Sequence, residues 1–465
     1  MEQIYDAAVI GGGPGGYSAA IQAARLGGKV IVFEKENSMG GTCLNAGCIP
    51  TKCLLEKADL IEKIRKNTEN GIFKEAGLFS WKKIQENKNS VVKRLTTGVE
   101  SILKSYDIEI IKCKAVLKEP GVIETEGKGE RYAAKKIIIA TGSKASIPPV
   151  EGIDGRNVID STEALSLKKI PSSMAIIGAG VVGLEFACIY SALGTSVSVI
   201  EMLPELLPNE DKETVKALRG ELEKKKIKFI TNAKVKRISD LENAKVIGYL
   251  KEGCSHSIEA EVVLAAGGRV ANLEGIDAGR LGLELDRKGN IKVNGRLETN
   301  IEGIYAVGDV IGGYQLAHSA YAEAEAAGRN CLGGSLEAKL DIMPRCIYSI
   351  PQLAAVGITE ETAIEKGIRY GKGIFPYIGN GKALASDAKF GFVKAISEKE
   401  TGRLLGVHIV GAYATELIAS ALTAINMGAA VDDFCHMIFP HPTLSEMIKE
   451  SVLSADNKAV HLPRK

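Results

Sequence analysis

The sequence predicts an α/β protein: two parallel-sheet units of one plan, followed by a smaller α+β domain. Three observations predict it. A strand, a glycine turn, a helix, a strand and an acid open the chain; the same series returns near residue 173; and from about residue 341 the texture changes to strands followed by long apolar helices. With 465 residues the chain exceeds what one core organises, and about three domains are expected.

In the first unit, Asp6 to Ile10 reads as a strand, Gly11 to Gly16 as a turn, Ser18 to Leu26 as a small-residue helix, and Lys29 to Phe33 as a strand ending at Glu34. Gly11, Gly13 and Gly16 fit G-x-G-x-x-G: one for a tight turn, one for backbone approach to a pyrophosphate, one for helix-to-sheet packing. The helix start then offers free N–H groups and a positive dipole end to phosphates. Such a turn needs no ligand by itself, but Glu34, 23 positions after Gly11, is placed to accept hydrogen bonds from a ribose.

The second unit runs from the strand Ser173 to Ile177 through Gly178, Gly180 and Gly183, a helix from Leu184 to Leu193, and a strand from Thr195 to Ile200 closed by Glu201. Glu201 again follows the first glycine by 23 residues. Two copies with one spacing imply two Rossmann-type dinucleotide sites. Met202 and Leu203 follow Glu201 with no nearby Arg to receive a 2′-phosphate, which favours NAD over NADP.

Lys136 to Gly142 and Val262 to Gly267 are buried strands running into glycine, each the expected closing strand of its unit. Between the first strand–turn–helix–strand series and Thr141, residues 52–105 have the amphipathic period of charged helices expected to pack on the first sheet. Pro148-Pro149 marks a boundary. The run Ile301 to Val310 carries Gly308-Asp309, either a carboxylate at a sheet edge facing a ligand hydroxyl or a solvated turn. The expected division is 1–147 for the first unit, 148–270 for the second, 271–340 completing the first, and 341–465 for the α+β domain.

Within Gly40 to Lys52, Cys43 and Cys48 stand five residues apart. On a regular helix their Cα atoms would lie roughly 8.6 Å apart, beyond the ~7 Å reach of a disulfide. Asn45 and Gly47 tolerate unusual dihedrals and Pro50 disfavours α geometry at Ile49, so the chain can distort there. A strained pair at a helix entrance points to a labile, catalytic disulfide; a zinc half-site and two unrelated buried thiols are the alternatives. Nine scattered cysteines do not form a secreted disulfide framework, and the strand-like run from Ile4 leaves no room for a signal or transit segment. The cytoplasm is therefore the expected compartment.

The balance of 59 basic and 57 acidic residues, a net charge of +2, points to no nucleic-acid or membrane partner. No run approaches ~18 apolar residues, so no membrane span is expected. Near the C-terminus stands Phe439-Pro440-His441-Pro442-Thr443-Leu444-Ser445-Glu446. It reads either as a T-x-x-E capping box from Thr443 and Glu446 with His441 an ordinary loop residue, or as a general base oriented by a carboxylate.

Together, the C-L-N-A-G-C-I-P-T-K segment, the two glycine fingerprints, Gly308-Asp309 and H-P-T-L-S-E resemble, over essentially the whole chain, the pyridine nucleotide-disulfide oxidoreductases, most closely the members that oxidise dihydrolipoyl groups. The cysteine and histidine segments are the specific marks; the glycine turns are not. The resemblance implies an FAD domain, an NAD domain and a C-terminal dimerisation domain. FAD would be held by Gly11, Gly13, Gly16, Glu34, Lys52 and Asp309, with backbone contacts from Ala115, Gly142 and Ala317. NAD would be held by Gly178, Gly180, Gly183 and Glu201, with Val235 and Gly267.

The resemblance also implies roles. Cys48 would be the thiolate against the flavin and Cys43 the outer thiol that exchanges with substrate, with Glu185 paired to Lys52. His441 and Glu446 would reach the cysteines of the other subunit in a homodimer. No metal is implied. The implied reaction oxidises a dihydrolipoyl group, presented by the carrier protein of a 2-oxoacid dehydrogenase or glycine-cleavage complex, with NAD⁺. An NAD(P)H-dependent reductase of another disulfide or of a metal ion is the competing expectation. The sequence departs from the family at Phe439-Pro440, where His-Ala is usual, and at Ala266 to Ala271, where Gly-Arg-Arg-Pro-Asn is commoner.

Overall fold

The computed structural model describes residues 4–463. The apolar runs Ile4–Ile10, Val30–Glu34 and Arg131–Ile139 pair in parallel at the middle of a seven-stranded sheet, with Ile10 beside both Phe33 and Ile139. Continuous burial along Val30–Glu34 is what a strand covered on both faces requires. Glu109–Lys112 extends the sheet in parallel on one side, setting Lys112 opposite Glu34, and Val122–Thr125 with Ala115–Glu119 adds antiparallel strands on the other. The distant strand Ile304–Ala306 joins the same sheet beside Arg131–Ile139. Helix Ala317–Asn330 then packs on helix Pro14–Arg25, so closely that a side chain at Gly328 would stand 2.6 Å from the Ala19 carbonyl oxygen.

The second sheet repeats the plan with five parallel strands in the order Lys228–Ile230, Ser196–Ile200, Ser173–Ile177, Val262–Ala265, Val158–Ile159. The two glycine-ending strands hold equivalent places: Ile139 lies against Ile10, and Ala265 against Ile177. A three-stranded antiparallel sheet, Ala233–Leu241, Ala244–Lys251 and Cys254–Ala260, shares a core with the second unit. A short antiparallel pair, Ser143–Ala145 with Arg269–Ala271, joins the segments leaving the two units.

The helices Cys48–Glu69 and Trp81–Ser105 differ from expectation: they bridge the two units instead of lying on the first sheet alone. Leu54 and Leu55 enter the second unit's core with Trp81 and Ile84 beside them, whereas Leu103 enters the first unit's core. Trp81 Nε1 donates to Leu167 O at 2.9 Å, and the buried Lys88 Nζ donates to Leu165 O at 2.7 Å. Periodicity identifies an apolar face but not which neighbour covers each end of it.

The C-terminal sheet is antiparallel, in the order Arg345–Ile347, Gln352–Gly357, Leu404–Gly411, Gly391–Glu398, Tyr370–Pro376. Ile418 and Ile425 of helix Ala414–Asn426 and Ile448 and Val452 of helix Glu446–Ser454 pack into one core with Val393, Val407 and Ile409. Toward the second unit, the fully buried Lys394 Nζ lies 2.7 Å from Asp211 Oδ2, 2.6 Å from Glu360 Oε2 and 3.1 Å from Glu213 Oε2. No helix among the described residues is long and apolar enough to cross a membrane.

Candidate active site

Helix Gly41–Ala46 stops at Gly47, and helix Cys48–Glu69 begins at once. Gly47 holds φ −143° and ψ −116°, outside the helical region, so the break falls there. Pro50, expected to disfavour helix at Ile49, instead occupies the first turn of the 22-residue helix, where its missing N–H has no helical partner to lose. Asn45 fixes the preceding loop: its Nδ2 donates to Met39 O at 3.1 Å and Gly41 O at 2.9 Å, and its Oδ1 accepts from Ser38 Oγ at 2.7 Å. The break lets the Cys43 and Cys48 thiols hydrogen-bond each other. Among the described residues they join no cluster able to hold a metal ion.

That hydrogen bond from Cys43 lowers Cys48, burial opposes it, and the Lys52 charge lowers it again, leaving the thiol at about 7. Cys48 also opens its helix, where the dipole favours a thiolate. The same hydrogen bond, with burial, pushes Cys43 up. One sulfur is therefore a ready thiolate and the other a protonated thiol. Lys52 Nζ lies 3.0 Å from both carboxylate oxygens of Glu185, which is buried on helix Val181–Ala192 of the second unit. Glu185 Oε1 also accepts the Tyr348 N–H at 3.1 Å, and Lys52 Nζ sits 4.4 Å from the Tyr348 ring centroid. Sequence reasoning missed Tyr348, which no motif marks.

The two glycine turns are built alike. A side chain at Gly11 would stand 2.3 Å from Ala140 O, and one at Gly178 2.4 Å from Ala266 O; at Gly16 and Gly183 it would meet the carbonyl oxygen of the first glycine at 1.8 and 2.0 Å. The middle glycines are open: Gly13 would meet only Gly41 Cα at 3.7 Å, and Gly180 nothing within 4 Å. Both helices start there without a side-chain cap, leaving backbone N–H groups for an anion. The acids match too. Glu34 accepts the N–H groups of Gly12 and Glu36, each at 2.9 Å, and Glu201 those of Ala179 at 2.7 Å and Leu203 at 2.8 Å.

These surroundings fit dinucleotides. Beside the first turn Thr141 Oγ1 is buried without a partner, next to Gly142, around whose Cβ position lies open space. Beside the second, Val181, Val182, Met202 and Leu203 present exposed apolar surface, a flank suited to a base ring. Asp309 is not a solvated turn residue: it is half-buried, accepts a hydrogen bond from Ser143 Oγ, and lies 3.9 Å from Arg269 Nε. Arg269 in turn donates to Ser143 Oγ at 2.6 Å and Ser143 O at 2.8 Å. Sequence reasoning missed both, although Arg269 stands in the departing segment after Gly267-Gly268.

The remaining expected contacts are backbone positions. Ala317 begins helix Ala317–Asn330, which has no side-chain cap. Ala115 begins the outermost strand of the first sheet, its carbonyl against Gly275. Val235 is buried in the strand whose Ala233 N–H reaches Glu201 O at 2.9 Å, and Gly267 follows strand Val262–Ala265 and lies against Pro148.

His441 Nδ1 is 2.9 Å from Glu446 Oε1, and Glu446 Oε2 accepts the Thr443 N–H at 2.8 Å. Half of each sequence reading is thus present in one carboxylate. The helix, however, starts at Glu446 itself, and Thr443 Oγ1 bonds Pro440 O and Ser445 Oγ instead of capping it. Burial pushes Glu446 up, but the Thr443 N–H and His441 outweigh it and hold the carboxyl below its ordinary value. With Nδ1 engaged, Nε2 remains for a proton, on a side chain 78% exposed. Among the described residues no histidine hydrogen-bonds Cys43 or Cys48, so one chain alone does not unite the two clusters.

The chain is similar to known proteins along nearly its whole length. The profile of the pyridine nucleotide-disulphide oxidoreductases matches residues 5–324, and that of their dimerisation domain residues 343–452. Dihydrolipoyl dehydrogenase 2, mitochondrial, of Arabidopsis thaliana is 38% identical over 463 residues, covering 98% of this chain and 91% of the relative. A dihydrolipoyl dehydrogenase of Bacillus subtilis is 40% identical over 480 residues, covering 99% and 100%. Among solved structures, the HOCl-induced flavoprotein disulfide reductase RclA from Escherichia coli superposes with a TM-score of 0.87 at 28% identity, covering 96% of this chain and 99% of that one. With the two profiles matching residues 5–324 and 343–452 and relatives of 38% and 40% identity covered over nearly their whole length, the chain belongs to the pyridine nucleotide-disulphide oxidoreductase family.

Proposed function

We propose that the protein oxidises dihydrolipoyl dithiols to the cyclic disulfide with NAD⁺ as acceptor, as an FAD-containing homodimer. The observation that carries this reading is the Cys43–Cys48 pair at the break between two helices, with Cys48 opening the second and Lys52 one turn beyond it, its Nζ held 3.0 Å from Glu185. The dihydrolipoyl dehydrogenases at 38% and 40% identity support the substrate, and the dimerisation-domain match supports the homodimer.

The cycle starts with Cys43 and Cys48 joined as a disulfide. His441 of the partner subunit takes a proton from one substrate thiol, and the thiolate attacks Cys43 Sγ; the Cys43–Cys48 bond breaks and Cys48 leaves as a thiolate. The charge of Lys52 and the helix start hold that thiolate. The imidazolium then loses its proton to solvent and takes the proton of the second substrate thiol, whose sulfur attacks the substrate sulfur bonded to Cys43; the cyclic disulfide closes, and Cys43 leaves as the thiol with that second proton. Two electrons have passed from the dithiol to the cysteine pair. Transfer of that electron pair on to NAD⁺ is chemistry that no side chain supplies and that FAD, when bound, would supply. Glu34, Asp309 and the first glycine turn would hold that group; Glu201 and the second would hold NAD.

A lipoyl-bearing carrier of a 2-oxoacid dehydrogenase or glycine-cleavage complex is the partner that presents such a dithiol. The nine scattered cysteines support a reducing compartment, the cytoplasm. The test is steady-state turnover of dihydrolipoamide with NAD⁺ and with NADP⁺, against glutathione disulfide with NADPH. Dihydrolipoamide with NAD⁺ is expected to be much the fastest; a faster glutathione reaction overturns the reading.

A further inference from the structure

The thiol pair has two neighbours that the steps above leave unused. Tyr17 lies on the first turn of helix Pro14–Arg25, its N–H bonded to Gly13 O at 2.9 Å. Gly13 abuts Gly41, where the cysteine helix begins: a side chain at Gly41 would stand 2.7 Å from Gly13 Cα. The two helix starts are in contact, which sets Tyr17 on the flank of Cys43. Tyr321 approaches from helix Ala317–Asn330; its Oη is 2.8 Å from Tyr17 Oη, and the ring centroids are 6.2 Å apart at 56°.

Burial, then the hydrogen bond to Tyr321 and the closeness of that phenol, push the Tyr17 phenol up, with a smaller contribution from the neighbouring Cys43. Burial pushes Tyr321 up against the opposing bond from Tyr17, with smaller contributions from the neighbouring Cys43 and Cys48. Both hydroxyls are thus within electrostatic reach of the outer thiol. Tyr321 nevertheless keeps 41% of its surface exposed, so the paired phenols form part of the surface beside Cys43. Two hydroxyls bonded to each other use one O–H as donor and leave the other spare. Each ring adds a rigid apolar face at small entropic cost.

We propose that Tyr17 and Tyr321 form a specificity-determining wall beside Cys43, whose ring faces hold the methylene chain of a tethered dithiol while the spare hydroxyl donates to the substrate sulfur bonded to Cys43. The assignment rests on dithiol exchange at Cys43 as proposed above. A short dithiol without a carbon tail makes no use of the ring faces, so the wall separates long dithiols from short ones.

The test compares kcat/KM for dihydrolipoamide with that for dithiothreitol, NAD⁺ as acceptor, in the wild-type holoenzyme, Tyr321→Phe and Tyr321→Ala. Tyr321→Ala is expected to lower the dihydrolipoamide-to-dithiothreitol ratio about tenfold, mainly through KM, whereas Tyr321→Phe keeps the ring and is expected to slow both substrates about threefold with the ratio unchanged. General damage to the fold lowers both substrates alike and leaves the ratio unchanged. An unchanged ratio in Tyr321→Ala, with the wild type active on dihydrolipoamide, overturns the wall alone; a wild type inactive on dihydrolipoamide overturns the parent reading and the wall with it.

Discussion

Lys52 Nζ stands 3.0 Å from each carboxylate oxygen of Glu185, so a cation one turn beyond Cys48 is held by an acid from the other dinucleotide unit. Both charges act on Cys48, and in opposite directions: Lys52 lowers it and Glu185 raises it. Lys52→Met therefore moves the Cys48 titration up from about 7, by roughly one pH unit, and Glu185→Gln moves it down. The pH dependence of iodoacetamide alkylation at Cys48 in the reduced enzyme, read by peptide mass spectrometry, checks both signs.

The carboxylate of Glu446 bonds His441 Nδ1 and the Thr443 N–H together, so its loss frees the imidazole to turn. His441→Gln is expected to slow dihydrolipoamide oxidation about 10²–10⁴-fold, the ordinary worth of a general base. Glu446→Gln keeps the shape but not the charge, and its effect falls between wild type and His441→Gln. Steady-state kcat on the three proteins gives the order.

The glycines of the second turn separate packing from binding. A methyl at Gly183 would press on Gly178 O at 2.0 Å, whereas one at Gly180 meets no protein atom within 4 Å. Gly183→Ala should lower the thermal midpoint of unfolding. Gly180→Ala should leave that midpoint unchanged and raise KM for NAD⁺ about tenfold or more, because its methyl occupies the space a pyrophosphate approaches. Differential scanning calorimetry and NAD⁺ saturation curves together decide it.

The buried joint at Lys394 makes stability depend on pH. Burial pushes Asp211 and Glu360 up, but Lys394 and, for Asp211, His408 outweigh it: Asp211 is lowered and Glu360 falls to about 2. Carboxyls lowered on folding contribute stability that is complete above their ordinary values near 4 and is lost as pH falls toward 2. Lys394 is raised, so its share is complete below its ordinary value and is lost only in strong alkali. Lys394→Met leaves Asp211 buried without its partner and should lower unfolding free energy by about 3–5 kcal/mol at neutral pH. Urea midpoints between pH 2 and 7 should fall less steeply in the variant below pH ~4.5.

What the sequence made legible was local in the chain. Two glycine turns with one spacing to an acid specify their own geometry, and the structure repeats that geometry to within a few tenths of an ångström at Gly11 and Gly178. The break beside Cys48 was legible as a need but not as a place, because Gly47 and Pro50 both relax helical preference and only Gly47 yields. That Asp309 would meet Ser143 and Arg269 was illegible: Ser143 lies 166 residues from Asp309 and 126 from Arg269, and Arg269 comes from the other unit. Lys52 and Glu185, 133 residues apart, were paired through resemblance, not through any local signal.

The most direct measurement follows the two sulfurs themselves. The oxidised protein is mixed anaerobically with dihydrolipoamide, quenched with an alkylating reagent and mapped by mass spectrometry, with and without a later addition of NAD⁺. Cys43 and Cys48 should become alkylated after the dithiol and protected again after NAD⁺, while the other seven cysteines stay unchanged. Turnover of dihydrolipoamide with NAD⁺ while Cys43 and Cys48 never change their labelling would contradict the account.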